Sequence, residues 1–240
     1  MSIELSRRQA LLGSAALVGT GAIGGLSLPA DAKGPMLKSQ TPYFYRFGYG
    51  KAQVTMVSDG PLPLGDPSTN FLGASKDEIT KLLTDNFLSP TNVVLEQNIP
   101  IVNTGTHLVL FDTGMGFQKM FGPTTGRLLR SMREAGIQPG QIDAIVISHA
   151  HIDHIGGMAD QRGRRLFPNA KVYISKEDFD FWTDEKKLSD DKVKAFVKHA
   201  RDNLLPYRDR IVFVKDGQEL LPGITAIAAP GHTVGHMIYM

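Results

Sequence analysis

Apolar positions along the chain fall into short runs separated by glycine, proline and aspartate, and the runs switch between a period of two and a period near 3.6. Gln53–Ser58 alternates as a strand does; Asp59-Gly60-Pro61 predicts the turn that ends it, and Pro61–Phe71 a long loop. Ser75, followed by Asp77 and Glu78, predicts a capped helix with Leu82 and Leu83 inward. Val93–Val102 and His107–Phe111 flank Asn103-Thr104-Gly105-Thr106 and predict a β-hairpin that ends at Asp112-Thr113-Gly114. Leu128, Leu129 and Met132 space a helix over Thr125–Ala135, which Gly136 stops. Within Ile142–Ser148, the run Ala144-Ile145-Val146-Ile147 suits a strand buried on both faces. Lys171–Ile174, Arg210–Val214, Ile224–Ala228 and Met237–Met240 predict further strands. Ser175 with Asp178 opens a helix, and Asp190–Leu205 forms a longer amphipathic one. Strands alternating with helices and a hairpin give a mixed α/β class, α+β in its hairpin-rich half.

Composition narrows the function classes. A chain of 240 residues, 42% hydrophobic and 21% charged, is neither disordered, nor a coiled coil, nor a polytopic membrane protein. Its formal net charge of +2 supplies no field for nucleic acid or an anionic membrane surface. Cysteine is absent, so disulfides, thiolate metal sites and a cysteine nucleophile are excluded, and any metal must be held by His, Asp or Glu. No Gly-x-Ser-x-Gly elbow occurs, which argues against a serine hydrolase.

The first residues read as an address. Arg7-Arg8 precedes Leu11-Leu12 and the apolar stretch Ala10–Leu28, which Gly13, Gly19, Gly21, Gly24 and Gly25 dilute; Ala30-Asp31-Ala32 then offers a small-x-small cleavage site. An uncleaved anchor is the alternative, and the glycines make it a weak span. The expected organisation is a twin-arginine export signal over 1–32, a lead over 33–52 and one domain over 53–240. A periplasmic or secreted location follows, with no stable membrane association after cleavage.

Five of the seven histidines lie in two short windows, His149-Ala150-His151-Ile152-Asp153-His154 and His232-Thr233-Val234-Gly235-His236. His149 and His151 leave the end of a buried strand two residues apart, so their side chains point to one side. Asp153 and His154 approach from the bend that follows, and Gly156-Gly157 lets the backbone fold back closely. Imidazole and carboxylate are the donors that zinc and other divalent ions accept where thiolate is absent. His232 also sits at a strand end and is the natural further donor. His236 is a supporting or structural residue, and His107 and His199 read as ordinary surface residues.

These windows resemble the metallo-β-lactamase superfamily, in the segments His149-x-His151-x-Asp153-His154, Gly156-Gly157 and Gly231-His232-Thr233-x-Gly235-His236, with Asp112-Thr113-Gly114 after the hairpin. Phe121-Gly122-Pro123-Thr124, Leu166–Ala170 and Phe179–Trp182 carry a finer resemblance, to the branch of methyl parathion hydrolase and related lactonases. The resemblance implies an αββα sandwich with two divalent metal ions, zinc foremost, at one edge. His149, His151 and His232 would hold the first ion, and Asp153 and His154 part of the second. A bridging Asp and a final His normally follow; the chain ends at Met240 in a predicted strand, so a C-terminally truncated domain with an incomplete second site is expected.

The implied activity is metal-dependent hydrolysis of small esters, lactones or phosphotriesters by a metal-activated hydroxide. Asp153 would be the catalytic carboxylate, orienting the hydroxide and passing its proton to the leaving group. Phe121, Trp182 and Phe196 match positions lining the substrate pocket of that branch, while Asp112 and Asp59 read as turn or ligand-orienting carboxylates. A β-lactamase, a glyoxalase-type thioester hydrolase and an inactive fragment are the alternatives. Flavin di-iron relatives carry Glu where this chain has His151. The expected partner is a small-molecule substrate, with a second copy of the chain as a homodimer and no nucleic acid.

Export and cleavage predict a mature protein whose first residue is Lys33, read by intact mass of the periplasmic or secreted fraction. A protein that retains Met1 and sediments with membranes contradicts the reading.

Overall fold

The structure is a computed structural model that describes residues 41–240; the expected export signal and the first residues of the lead lie outside the described residues. Seven strands form one sheet in chain order: β1 (Phe44–Tyr49), β2 (Ala52–Gly65), β3 (Val93–Asn103), β4 (Leu108–Phe111), β5 (Ala144–Val146), β6 (Lys171–Ser175) and β7 (Ile211–Val214). The first four pair antiparallel, and β4 to β7 pair parallel. A second, antiparallel sheet has the order β10-β9-β8, from β8 (Glu219–Leu221), β9 (Ile224–Ala228) and β10 (Met237–Tyr239). Among the described residues the α-helices are α1 (Pro67–Asn70), α2 (Lys76–Asp85), α3 (Leu128–Glu134), α4 (Ile152–Ile155), α5 (Lys176–Thr183) and α6 (Lys194–Leu204).

The pleat sorts the central strands into two cores. Leu110, Ile145, Val172 and Ile174 pack with Leu128 and Met132 of α3, Trp182 of α5, and Val197 and Leu204 of α6. Val109, Ala144, Val146, Tyr173 and Val214 face the other way and meet Ile224, Ala226 and Met237 of the small sheet. The layers are therefore helix, sheet, sheet, and β5 is buried on both faces, as its unbroken apolar run requires. Among the described residues no helix is long and apolar enough to cross a membrane.

Several elements differ from the sequence pattern. β1 lies within the expected lead and pairs as an edge strand with β2 from Phe44↔Val57 to Tyr49↔Ala52. The turn expected at Asp59-Gly60-Pro61 does not end β2; the strand runs on to Gly65, with register shifts against β3 between Ser58 and Pro61 and between Pro63 and Gly65. Gly60 sits at φ +99° and Pro61, which has no N–H, falls at the irregularity where a strand tolerates it. On α2 the inward residues are Ile79 and Leu83, while Leu82 is exposed. His199 is half-buried on α6 rather than on the surface.

Asp59 is the reason the bulge exists in this form. Its buried carboxylate accepts from the backbone N–H of Met115 at 2.9 Å, Gly126 at 3.0 Å and Leu128 at 2.8 Å, and its carbonyl accepts from Arg127 N–H at 3.0 Å. One side chain thus ties β2 to the loop over 113–127. α3 starts at Leu128 and not at Thr125 because Gly126 sits at φ +77°, outside the helical region. Asp59→Ala leaves two buried donors, the Met115 and Leu128 amides, unsatisfied at about 1–3 kcal/mol each, with the part-buried Gly126 amide besides. A loss of at least about 3 kcal/mol in urea unfolding is expected; a loss below about 0.5 kcal/mol contradicts this role.

Candidate metal centre

Three parallel strands end on one sheet edge and hand their next residues to the same place. Phe111 of β4 is registered with Val146 of β5, and Val146 with Tyr173 of β6. Asp112, Ser148-His149 and Ser175 consequently leave the sheet side by side. The β9–β10 connection reaches the same edge, where Met237 N–H donates to the Ser148 carbonyl at 2.9 Å. Two histidine windows far apart in sequence therefore meet.

His149, His151 and His232 each present a ligand atom, and these atoms lie within 4.8 Å of one another. His151 Nδ1 and His232 Nε2 are 3.1 Å apart, and His149 Nε2 is buried without a hydrogen-bond partner. His154 packs against His149 with ring centroids 3.9 Å apart, and its Nε2 faces Asp153 Oδ2 at 3.3 Å. The expected five donors are thus in one cluster, with the tightest convergence at His149, His151 and His232. His236 stands edge-on to His149 at 4.9 Å, and its carbonyl accepts from Ala229 N–H at 2.8 Å.

Asp112 orients the group. It adopts a left-handed backbone, φ +60°, which aspartate tolerates better than most residues. From there its carboxylate accepts from Ser148 N–H at 2.8 Å and Ser148 Oγ–H at 2.7 Å, and it meets His154 Nδ1 at 2.7 Å. Asp178, which the sequence suggested only as part of a helix start, holds the two windows together. Its buried carboxylate accepts from Ala150 N–H at 2.6 Å and from Gly235 N–H at 2.9 Å. Ser175 caps α5 by accepting from Asp178 N–H and donates its hydroxyl to the Gly235 carbonyl at 2.6 Å. A Cβ on Gly235 would lie 2.2 Å from Ser175 Oγ, so only glycine permits this approach. Gln97 adds a donor from β3 to the Asp153 carbonyl at 3.2 Å.

Electrostatics favour a cation. Burial and the neighbouring imidazoles hold His149 far below its ordinary value, and burial with His232 pulls His151 down to about 4. Both are neutral at pH 7, as metal ligation requires. Burial works against charge on His154, but Asp112 and Asp153 overcome it and push it up to about 10. Burial would raise Asp153; hydrogen bonding to His154 outweighs it and keeps the carboxyl below its usual range. The neutral imidazoles of His149 and His151, with an orphaned buried Nε2, fit a divalent metal ion, and His154 must give up its proton to join them.

The aromatic candidates are placed in two ways. Trp182 stands edge-on to His151 at 5.0 Å, and Phe196 lies 5.8 Å from the same ring. Phe121 joins Phe196 beside Leu62, Met115 and Ile152. On the other flank, a cavity of about 380 Å³ opens onto Asp112, Asp153 and His154.

Asp178→Ala removes the clamp without touching a donor atom. Zinc affinity, measured by competition with a chromophoric chelator, is expected to fall about 10–100-fold. Unchanged affinity would show that Asp178 does not set the histidine geometry.

The profile of the metallo-β-lactamase superfamily matches residues 93–239. Among solved structures, the chain is 29% identical to AidC, a dizinc quorum-quenching lactonase, with a TM-score of 0.73 over 82% of this chain and 69% of that one. It is 28% identical to the hydrolase AbOPH, with a TM-score of 0.74 over 84% and 70%. The N-acyl homoserine lactonase of Bacillus cereus is 23% identical over 69% of this chain and 66% of its own length. Metallo-beta-lactamase domain-containing protein 1 of Xenopus laevis is 26% identical over 44% of this chain. The chain spans from 34% to 66% of the length of these two curated relatives. A profile match across more than half the chain, on a fold and a histidine cluster of this form, makes it a member of the metallo-β-lactamase superfamily.

Proposed function

We propose that this chain carries a zinc-dependent hydrolase centre that opens lactones and cleaves related small esters, phosphotriesters included. The observation that carries the reading is the convergence of His149, His151 and His232 within 4.8 Å, beside the apolar wall of Trp182, Phe196 and Phe121. Likeness to a dizinc lactonase supports both the metal and the lactone. The finer resemblance to the methyl parathion hydrolase branch supports the phosphotriester. The leader-like sequence pattern over 1–32 supports a periplasmic or secreted setting, and the near-neutral charge supports a small-molecule partner over nucleic acid.

His149, His151 and His232 would hold one ion, and Asp153 and His154 would contribute to a second. When bound, such ions supply Lewis acidity, bringing the pKa of water toward about 7 and countering charge on an oxyanion. The chain's own groups do the rest. Asp112 fixes His154 through Nδ1, leaving its Nε2 turned to Asp153. Asp153, kept ionised, takes the proton of the attacking water on its carboxylate and returns it to the departing oxygen. In a lactone the water oxygen bonds to the carbonyl carbon, the ring C–O bond breaks, and a hydroxy acid results. Trp182 and Phe196 exclude water from one side of His151 and pack the acyl or aryl group.

The test is a panel of acyl lactones, aryl esters, phosphotriesters and a chromogenic cephalosporin, run before chelation, after it and after zinc return. Turnover of the lactones that disappears and returns with zinc is expected. Turnover that survives chelation, or of the cephalosporin alone, overturns the reading. Because Trp182 is buried in the helix-side core, Trp182→Ala also costs about 3–5 kcal/mol of stability, more than a residue that only lines a pocket would. Trp182→Phe is the discriminating variant: KM for long-chain or aryl substrates should rise several-fold at unchanged zinc content.

A further inference from the structure

A cavity of about 500 Å³ lies between the start of α3 and the loop after α4, and its lining contains none of the histidines or carboxylates of the metal centre. Its size is that of a small-molecule site. Three glycines form part of its floor. A Cβ on Gly116 would lie 2.1 Å from the Gly156 carbonyl oxygen, on Gly126 1.9 Å from that of Gly116, and on Gly157 2.1 Å from that of Thr113. Backbone packs directly on backbone there, so this part of the floor is close-packed and admits only glycine. The walls are apolar: Phe117, 37% exposed, with Leu129 and Leu166.

The rim is polar and built in advance. Asp160 accepts from the backbone N–H of Arg162 and of Arg164, each at 2.9 Å, and from Arg164 Nε at 2.7 Å. The Asp160 charge is therefore matched by Arg164. Among the described residues the Arg162 side chain has no ion pair or hydrogen bond. One unmatched guanidinium thus borders an open apolar cavity on a loop that is already fixed, so little ordering is needed on binding.

We propose that this cavity binds an amphipathic carboxylate, with its hydrocarbon chain against Phe117, Leu129 and Leu166 and its head group on Arg162. A neutral apolar ligand would leave Arg162 without a role. A polyphosphate would meet Arg162 and, beside Gly126, Lys119, whose ammonium already donates to the Thr125 carbonyl, against three apolar walls. A carboxylate pairs with guanidinium through two parallel hydrogen bonds.

Isothermal titration of the zinc-loaded protein with octanoate, beside acetate and octanol, tests the site. Octanoate is expected to saturate at one per chain, and acetate not to bind. Arg162→Gln, on an exposed loop, should weaken octanoate about tenfold and leave octanol unchanged, with an unaltered melting curve. Leu129→Trp, which fills the cavity, should abolish both; Trp182→Phe should change neither. The absence of octanoate binding overturns the proposal. So does binding that survives Arg162→Gln but falls with Trp182→Phe or with zinc removal, which would put octanoate at the metal centre.

Discussion

Imidazoles can crowd together only if they are unprotonated or, like His154, matched by carboxylates, and if their backbones are held from outside the cluster. Asp178 meets the second condition. Its two carboxylate oxygens hold Ala150 N–H and Gly235 N–H, one from each histidine window, and no other buried side chain bridges the two in this way among the described residues. The first condition follows from burial: His149 and His151 lose their charge because solvent cannot stabilise it there. The fold makes both affordable by ending parallel strands on one edge, where crevices form in sheets of this kind.

A division of labour among carboxylates follows. Asp59 and Asp178 are buried and bind only backbone amides, so they shape loops. Asp112 binds both a backbone amide and His154, so it joins loop to imidazole. Asp153 turns its carboxylate to His154, and the one backbone amide that supports it is its own.

The metal-binding cluster was legible in the sequence because its chemistry is local: four polar donors in six residues after an apolar strand have no core explanation. The buried β5 run and the hairpin of β3 and β4 were legible for the same reason, since each is a contiguous pattern. What escaped was long-range. Asp178 acts on residues 28 and 57 positions away, and near its own position it looks like an ordinary helix start. β1 was hidden because its alternating aromatics, Tyr45, Phe47 and Tyr49, are exposed, so the alternation marks no core face. The end of β2 was misplaced because Asp-Gly-Pro ordinarily marks a turn, and only the amides supplied by the loop over 113–127 convert it into a bulge.

The central claim is that His149, His151 and His232 share one divalent ion. Anomalous diffraction at the zinc edge, on crystals grown with zinc, tests it most directly. The account predicts a peak bonded to one nitrogen of each of these three residues at about 2.0–2.1 Å. Well-ordered imidazoles with no peak between them, or a peak held only by other side chains, would contradict it.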